Sequence, residues 1–440
     1  MVYSMDKAYY SLFYSFFGIY VFLIYPWGES YYYANAKAYY FIGCILLLSL
    51  FHLLRVWLGK NKLIWKLEKL DALLVAFLCL LFFSTLHSIK ISWVGEGTEH
   101  QGLLIMLSYI ILFSLASRLY SVHLERLSKV IIISSFFASF YSVIQYYHLS
   151  ILPQDSVNKL LFGQRTYSFF DNPDYFGSYL VLVIPLTITN YFLSQERKWR
   201  VLYFFILCFQ FLSLIESQTR SAWLGIVISL TIILVWVVLN RREIWRKLVF
   251  IIISACFIFT ISDLASHQGY FSRALTITND IHKIIINKDA SSAGSSRLDI
   301  WQISLPLISN HLWLGNGPNT FEDVFYSQDS KIIKNYLGSG NEIYDENNDY
   351  LQIAFTMGVP ALLNYLLILS IIVIKGIRQV KQLDIDQKLF SIGMLAAIVG
   401  YLVQGFFNIS VISVAPYFWL ILGFFVNKDR FQGLNRRYVS

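Results

Sequence analysis

Apolar residues along this chain form runs of about the length that crosses a bilayer, interrupted by short polar connections. About 20 apolar residues in a helix span the hydrocarbon core. On that basis the pattern predicts helical spans near Tyr9–Tyr25, Tyr39–Val56, Ala72–Ile89, Leu103–Leu119, Val130–Tyr147 and Phe176–Leu193. It continues with Leu202–Ile215, Ala222–Leu239, Leu248–Ile261, Tyr350–Ile374, Leu389–Phe407 and Val411–Val426. The expected fold is all-α: a polytopic membrane protein of about 12 helices, with one large, partly helical loop between the ninth and tenth. Three regions follow: a membrane domain over 1–261, a loop over 262–349, and a second membrane part with a tail over 350–440.

Composition agrees with this pattern. Of 440 residues, 56% are hydrophobic and only 14% charged, against about 25% charged in soluble domains. A soluble enzyme, a disordered tail protein and a disulfide scaffold are excluded. Cys44, Cys79, Cys208 and Cys256 all lie in apolar runs and read as small buried hydrophobes. Met1–Lys7 and the first apolar run lack a small-residue cleavage site and read as an anchor.

The net charge of +8 is explained by topology. Lys60, Lys62, Lys66 and Lys69, then Arg118, Arg126 and Lys129, then Arg197, Lys198 and Arg200 fall on alternate connections. Arg241, Arg242, Arg246 and Lys247, then Lys375, Arg378, Lys381 and Lys388, and finally the tail continue the series. A twelve-span arrangement puts them all on one side, which the positive-inside bias makes cytoplasmic, together with both termini. The expected location is a bacterial cytoplasmic membrane, and no nucleic-acid partner is called for.

The loop over 262–349 is net acidic and predicted to lie outside. Leu298, Trp301, Leu305 and Ile308 keep helical spacing after Ser295–Ser296. A glycine-rich turn, Leu314-Gly315-Asn316-Gly317-Pro318, follows, and Asn319-Thr320-Phe321-Glu322-Asp323 reads as a second helix start. Histidines are scattered without metal-ligand spacing, and no nucleotide-binding or hydrolase motif is present.

Arg165, Arg220 and Arg297 stand at predicted outer span ends. An arginine there commonly snorkels to headgroups. Three of them around an amphipathic pocket would instead suit the oxygens of a lipid-linked diphosphate, because the guanidinium is always charged and offers a fork of donors. Trp301 and Trp313 suit packing or the membrane interface.

These segments carry a resemblance. Asp171-Asn172-Pro173-Asp174-Tyr175 before an apolar span, and Gln218-Thr219-Arg220-Ser221-Ala222, resemble motifs of the O-antigen ligase and Wzy-type polysaccharide polymerase superfamily. Arg297 with Trp301, Leu314-Gly315-Asn316-Gly317, Asn348-Asp349-Tyr350-Leu351-Gln352 and Met357-Gly358-Val359-Pro360 are similar to its C-terminal block. The resemblance implies a glycosyltransferase that takes its glycan from undecaprenyl diphosphate, with no metal or nucleotide sugar. Implied partners are the lipid-linked oligosaccharide, the bilayer, and a chain-length regulator and flippase of the same pathway. Ligases of the family commonly carry a His where this chain has Asn347, and asparagine takes no proton near neutral pH. That departure favours a polymerase of O-antigen, capsule or exopolysaccharide over a ligase.

The expected catalytic set is Arg220 and Arg297 on the diphosphate, with Asp345, Glu346 and Asp349 as alternative general bases and Glu322 further off. The expected substrate-binding set is Arg165, Asn172, Asn347, Asn348, Tyr350, Trp301, Gly315 and Gly317. Tyr167, Phe169 and Tyr344 are candidates to stack on sugars, although core packing is the commoner use of such rings. A flippase of lipid-linked sugars is a rival from another class. It needs polar residues along its spans, and these spans are nearly free of charge.

Overall fold

The structure is a computed structural model that describes residues 2–25, 32–58, 69–149, 152, 162–266, 269–276, 297–327 and 345–427. Among these residues the chain is helical, without a strand. The helices are α1 (Val2–Ile19), α2 (Tyr32–Leu58), α3 (Lys69–Thr85), α4 (Ile89–Ser92), α5 (Leu103–Ala116) and α6 (Ser121–Tyr146). They continue with α7 (Pro173–Leu193), α8 (Arg197–Glu216), α9 (Arg220–Asn240), α10 (Trp245–Ser266) and α11 (Arg297–Asn310). The last are α12 (Phe321–Ser327), α13 (Asp349–Met357), α14 (Val359–Val380), α15 (Ile385–Gln404) and α16 (Ala415–Phe425). Among the described residues, eight helices are long and apolar enough to cross a membrane: α2, α6 to α10, α14 and α15.

Helix α7 is the hub. It is buried on every side from Tyr175 to Asn190, the mark of a helix surrounded by protein. It packs on α6, α8, α9 and α15. Asn172 starts it by accepting a bond from the Asp174 N–H at 2.8 Å, with Pro173 in the first turn. Helices α9 and α15 make the most extensive contact in the bundle. A Cβ on Gly225 would stand 2.8 Å from the Gly400 carbonyl oxygen. Ser229 Oγ, beside that crossing, donates to the Ala396 carbonyl at 2.7 Å. Small residues let the two backbones close up, as apolar helices need in the absence of a hydrophobic drive.

The expected tenth span, Tyr350–Ile374, is corrected: it is two helices, α13 and α14, broken at Gly358. Gly358 has φ +86°, and Pro360 in the first turn of α14 cannot supply the N–H that would continue α13. The break receives the glycine-rich turn. Asn316 N–H donates to Phe355 O, Gly317 N–H to Thr356 O and Val359 N–H to Leu312 O, at 2.8–3.0 Å. The helix expected after Ser295–Ser296 is α11, and the one expected near Asn319 is α12. Ile300, Leu307 and Ile308 of α11, Phe321 and Phe325 of α12, and Ala354 and Phe355 of α13 share a small core of their own. Ile353 and Met357 of α13 join the main core. Helix α13 therefore couples the loop helices to the bundle.

Candidate functional site

The site forms where α8 ends and α7, α9 and α11 begin. The turn Ser217–Thr219 joins α8 to α9, and Gln218 within it has φ +53°. Thr219 Oγ1 donates to Pro173 O at 3.0 Å, tying this turn to the start of α7.

Four arginines converge on that point. Arg165 donates from Nη2 to Asp174 Oδ1 at 2.5 Å and from Nε to Ser217 O at 2.9 Å. Arg297, the first residue of α11, places Nη2 3.9 Å from Asp174 Oδ2. Arg220 donates to Thr276 Oγ1 at 2.9 Å. Arg273 donates from Nε to Gln218 O at 3.0 Å. The side chains of Arg165, Arg297 and Asp174 are each about a fifth exposed or less. Burial lowers the Arg297 pKa; Asp174 pulls it back up, and Arg220 and Arg165 push it down. Burial and then Arg165 and Arg220 lower that of Arg273. The carboxylates acting on Arg297 are Asp174 and Asp345. Among the described residues, these four guanidinium groups lie against the carboxylates of Asp174 and Asp345, which leaves positive charge at a partly desolvated site, where the field is strong.

The carboxyls expected as bases separate into different environments. Asp345 lies close enough to Arg297 to feel its charge; its Oδ1 accepts from the Asn347 N–H at 2.6 Å. Burial lifts its pKa to about 6, against the pull of that N–H and of Arg297. Glu346 is fully buried, and among the described residues neither side-chain oxygen has a hydrogen-bond partner. Burial, then Glu99, raises it well above the carboxylate range, so its neutral form is favoured. Asp349 is lifted to about 6 by burial. Its Oδ1 accepts from the Ser410 N–H at 3.0 Å, and its own N–H donates to Asn408 O. Asp349 thus holds the connection between α15 and α16. Glu322 lies exposed on α12.

Several expected binding residues serve the framework. Asn172 caps α7. Asn348 caps α13, accepting from the Tyr350 and Leu351 N–H groups at 3.0 Å. Tyr350 donates to Leu402 O at 2.7 Å and packs on Phe406. Trp301 donates to Glu346 O at 2.8 Å, so α11 fixes the approach to α13. Gly315 and Gly317 lie in the clasp on α13 and on Ser92, where a Cβ would meet Thr356 or Ser92 within 3 Å. Tyr167 is buried and Phe169 stacks on Tyr141 at 4.6 Å. Tyr344 lies outside the described residues. Of the expected set, the cleft itself gathers Arg165, Arg220, Arg297 and Asp345, with Asn347, half-buried at φ +50°, beside them.

Three further residues emerge only in the structure as part of the site or its wall. Asp174 is the carboxylate between two arginines, Arg273 is the fourth cation, and Glu99 binds Gln352 Nε2 at 2.5 Å behind Glu346. Arg273 resembled any other loop base in sequence. Among the described residues, no group of three or more His, Cys, Asp or Glu could hold a metal ion.

Residues 202–366 match the family model described as O-antigen ligase. The match is consistent with the O-antigen ligase/Wzy superfamily. The matched segment includes Arg220, Arg273, Arg297, Trp301 and Asp345–Gln352, while Arg165 and Asp174 precede it. Members of this family are glycosyl-transferring enzymes, and the match supports a membrane glycan-handling function. No curated protein matches the chain.

Proposed function

We propose that this protein is a polysaccharide polymerase, transferring a growing glycan from undecaprenyl diphosphate onto a lipid-linked repeat unit at the outer face of the cytoplasmic membrane. The observation that carries the reading is the gathering of Arg165, Arg273 and Arg297 around Asp174, with Arg220 close to Arg273 and Arg297 and the Asp345 carboxyl close to Arg297. Anionic oxygens suit such a cleft, and the fork of a guanidinium matches them.

In the proposed step a hydroxyl oxygen of the acceptor sugar bonds to the anomeric carbon of the donor glycan. The bond from that carbon to the diphosphate oxygen breaks, and its electron pair leaves with the diphosphate. Arg220 and Arg297 stabilise the charge that develops there. The hydroxyl proton passes to Asp345, whose lifted pKa brings it closer to neutrality than an ordinary aspartate. Glu346 is unsuited to this role because its neutral form is favoured. Asn347 contributes hydrogen bonds to sugar hydroxyls and takes no proton, in keeping with a polymerase rather than a ligase.

The test is elongation by the purified full chain in lipid nanodiscs, supplied with a lipid-linked repeat unit. A ladder of lipid-linked oligomers supports the polymerase. Transfer only to a terminal acceptor indicates a ligase; translocation without a new glycosidic bond indicates a flippase.

A pH prediction follows from Asp345. Its active form is the carboxylate, present above the pKa and lost as pH falls through it. We expect kcat/KM to fall about tenfold per pH unit below about pH 6. Asp345→Asn should lower the plateau by about 10²- to 10⁴-fold and remove that limb. A rate–pH profile that keeps its acid limb in Asp345→Asn would assign the base elsewhere.

A further inference from the structure

Lys37 is a fully buried lysine within α2, one of the eight helices able to span a membrane. An ionisable group in such a helix is costly and needs a compensating partner. Apart from Tyr33 of the same helix, the partners named for it lie on the segment leading to the arginines. Nζ donates to the Phe169 carbonyl. It stands over the Phe170 ring at 4.6 Å and the Tyr33 ring at 5.3 Å, geometry that attracts a cation. The opposing charge that acts on it is Asp171, without a direct ion pair, and Asp171 Oδ1 accepts from the Tyr33 N–H at 3.4 Å. Asp171 immediately precedes the Asn172 cap, and Asp174 follows within the same turn.

The same segment is held from its other side by α6. Gln145 Oε1 accepts from the Ser168 N–H at 2.7 Å, and Ser168 Oγ donates to Ala138 O at 2.6 Å. The α6 contacts are all neutral. Neutral packing would serve equally on the α2 side if holding the fold were the whole task. A buried charge fixes position more strictly, because any drift leaves it uncompensated.

We propose that Lys37 is a positioning residue: by binding Phe169 O and offsetting Asp171, it sets the register of residues 163–175 so that Arg165 and Asp174 meet Arg297. The inference rests on the reading of the arginine cleft as the diphosphate site. Lys37 touches no substrate and acts through Asp171 and the α7 cap.

The test compares full-length wild type, Lys37→Met, Asp171→Asn and the double variant in nanodiscs. Three quantities are read: affinity for undecaprenyl diphosphate, thermal midpoint, and amide hydrogen exchange over 163–175 without ligand. Lys37→Met should weaken undecaprenyl diphosphate binding by about tenfold or more, since it removes the bond to Phe169 O and the cation that offsets the buried Asp171 carboxyl. The double variant should return to within about threefold of wild type, because neither charge is then left alone. Exchange over 163–175 should rise in the single variant and fall back in the double.

Unchanged affinity and unchanged exchange in Lys37→Met would overturn the proposal. So would equal losses in single and double variants that follow the thermal midpoint, since those report packing alone. Should Lys37→Met fail to accumulate, Asp171→Asn in the same measurements decides. If wild type itself does not bind undecaprenyl diphosphate, the diphosphate reading fails. The ligand-free exchange pattern then still supports or overturns the positioning role.

Discussion

Arg297→Ala is expected to lower glycan transfer by about 10²- to 10³-fold, the usual cost of losing one preorganised donor to a developing negative charge. Arg297 opens α11 with its side chain largely buried, held by Asp174 and surrounded by Arg165 and Arg220. Burial makes each remaining contact stronger than it would be in water. The chain should nevertheless fold, because removing one guanidinium relieves repulsion among the others. Arg220→Ala should behave alike. Arg297→Lys keeps the charge and loses the fork, so its rate should fall between the two. Arg165→Ala is a different case, since Arg165 binds Ser217 O and Asp174. Its loss should cost stability as well as rate. Elongation of a lipid-linked repeat by membrane-inserted protein is the measurement. Polymer of wild-type length from both Arg220→Ala and Arg297→Ala would sink the arginine clamp.

The second large effect lies outside the cleft. Gly358→Val should destabilise the protein by about 3 kcal/mol, combining a disfavoured left-handed backbone with overpacking. Gly358 has φ +86°, and a Cβ there would stand 2.4 Å from the Trp313 carbonyl oxygen. The obstacle is backbone, which cannot swing aside as a side chain can. Gly315→Val meets Thr356 C at 2.4 Å across the same clasp. Both variants should lower the thermal midpoint, and their combination should cost less than the sum, since either one opens the clasp. Transfer should fall with them, because α13 follows directly on Asp345, Glu346 and Asn347. A wild-type midpoint for Gly358→Val would show that the clasp can yield.

The two results bear on how the glycine-rich turn is read. In sequence, Leu314-Gly315-Asn316-Gly317 and Met357-Gly358-Val359-Pro360 are separate motifs, and the first suggests a surface for a ligand. In the fold they are the two halves of one joint. The glycines permit backbone-to-backbone approach. A run of apolar residues across 350–374 likewise reads as a single span, because hydropathy does not register the backbone angle at Gly358.

The carboxyls teach a related lesson. Asp345, Glu346 and Asp349 occupy nearly adjacent positions and are equivalent candidates by composition. Their surroundings divide them: one lies near Arg297, one has no hydrogen-bond partner among the described residues, and one holds Ser410. Environment, not residue type, sets which carboxyl can exchange a proton near neutral pH.

The sequence by itself pointed to the all-helical membrane character, to helices α11 and α12, and to three of the four arginines that the structure brings together. These are local properties: apolar run length, helical spacing, and charges stranded at span ends. Only the tertiary structure decided that Asp174 is the carboxylate between Arg165 and Arg297, that Arg273 joins them, and that Lys37 bonds Phe169 O on the segment carrying Arg165 and Asp174. Such pairings depend on how α2, α7, α9 and α11 pack, and residues far apart in the chain leave no periodic trace of meeting. The desolvation that gives their charges force arises only once those helices have closed around them.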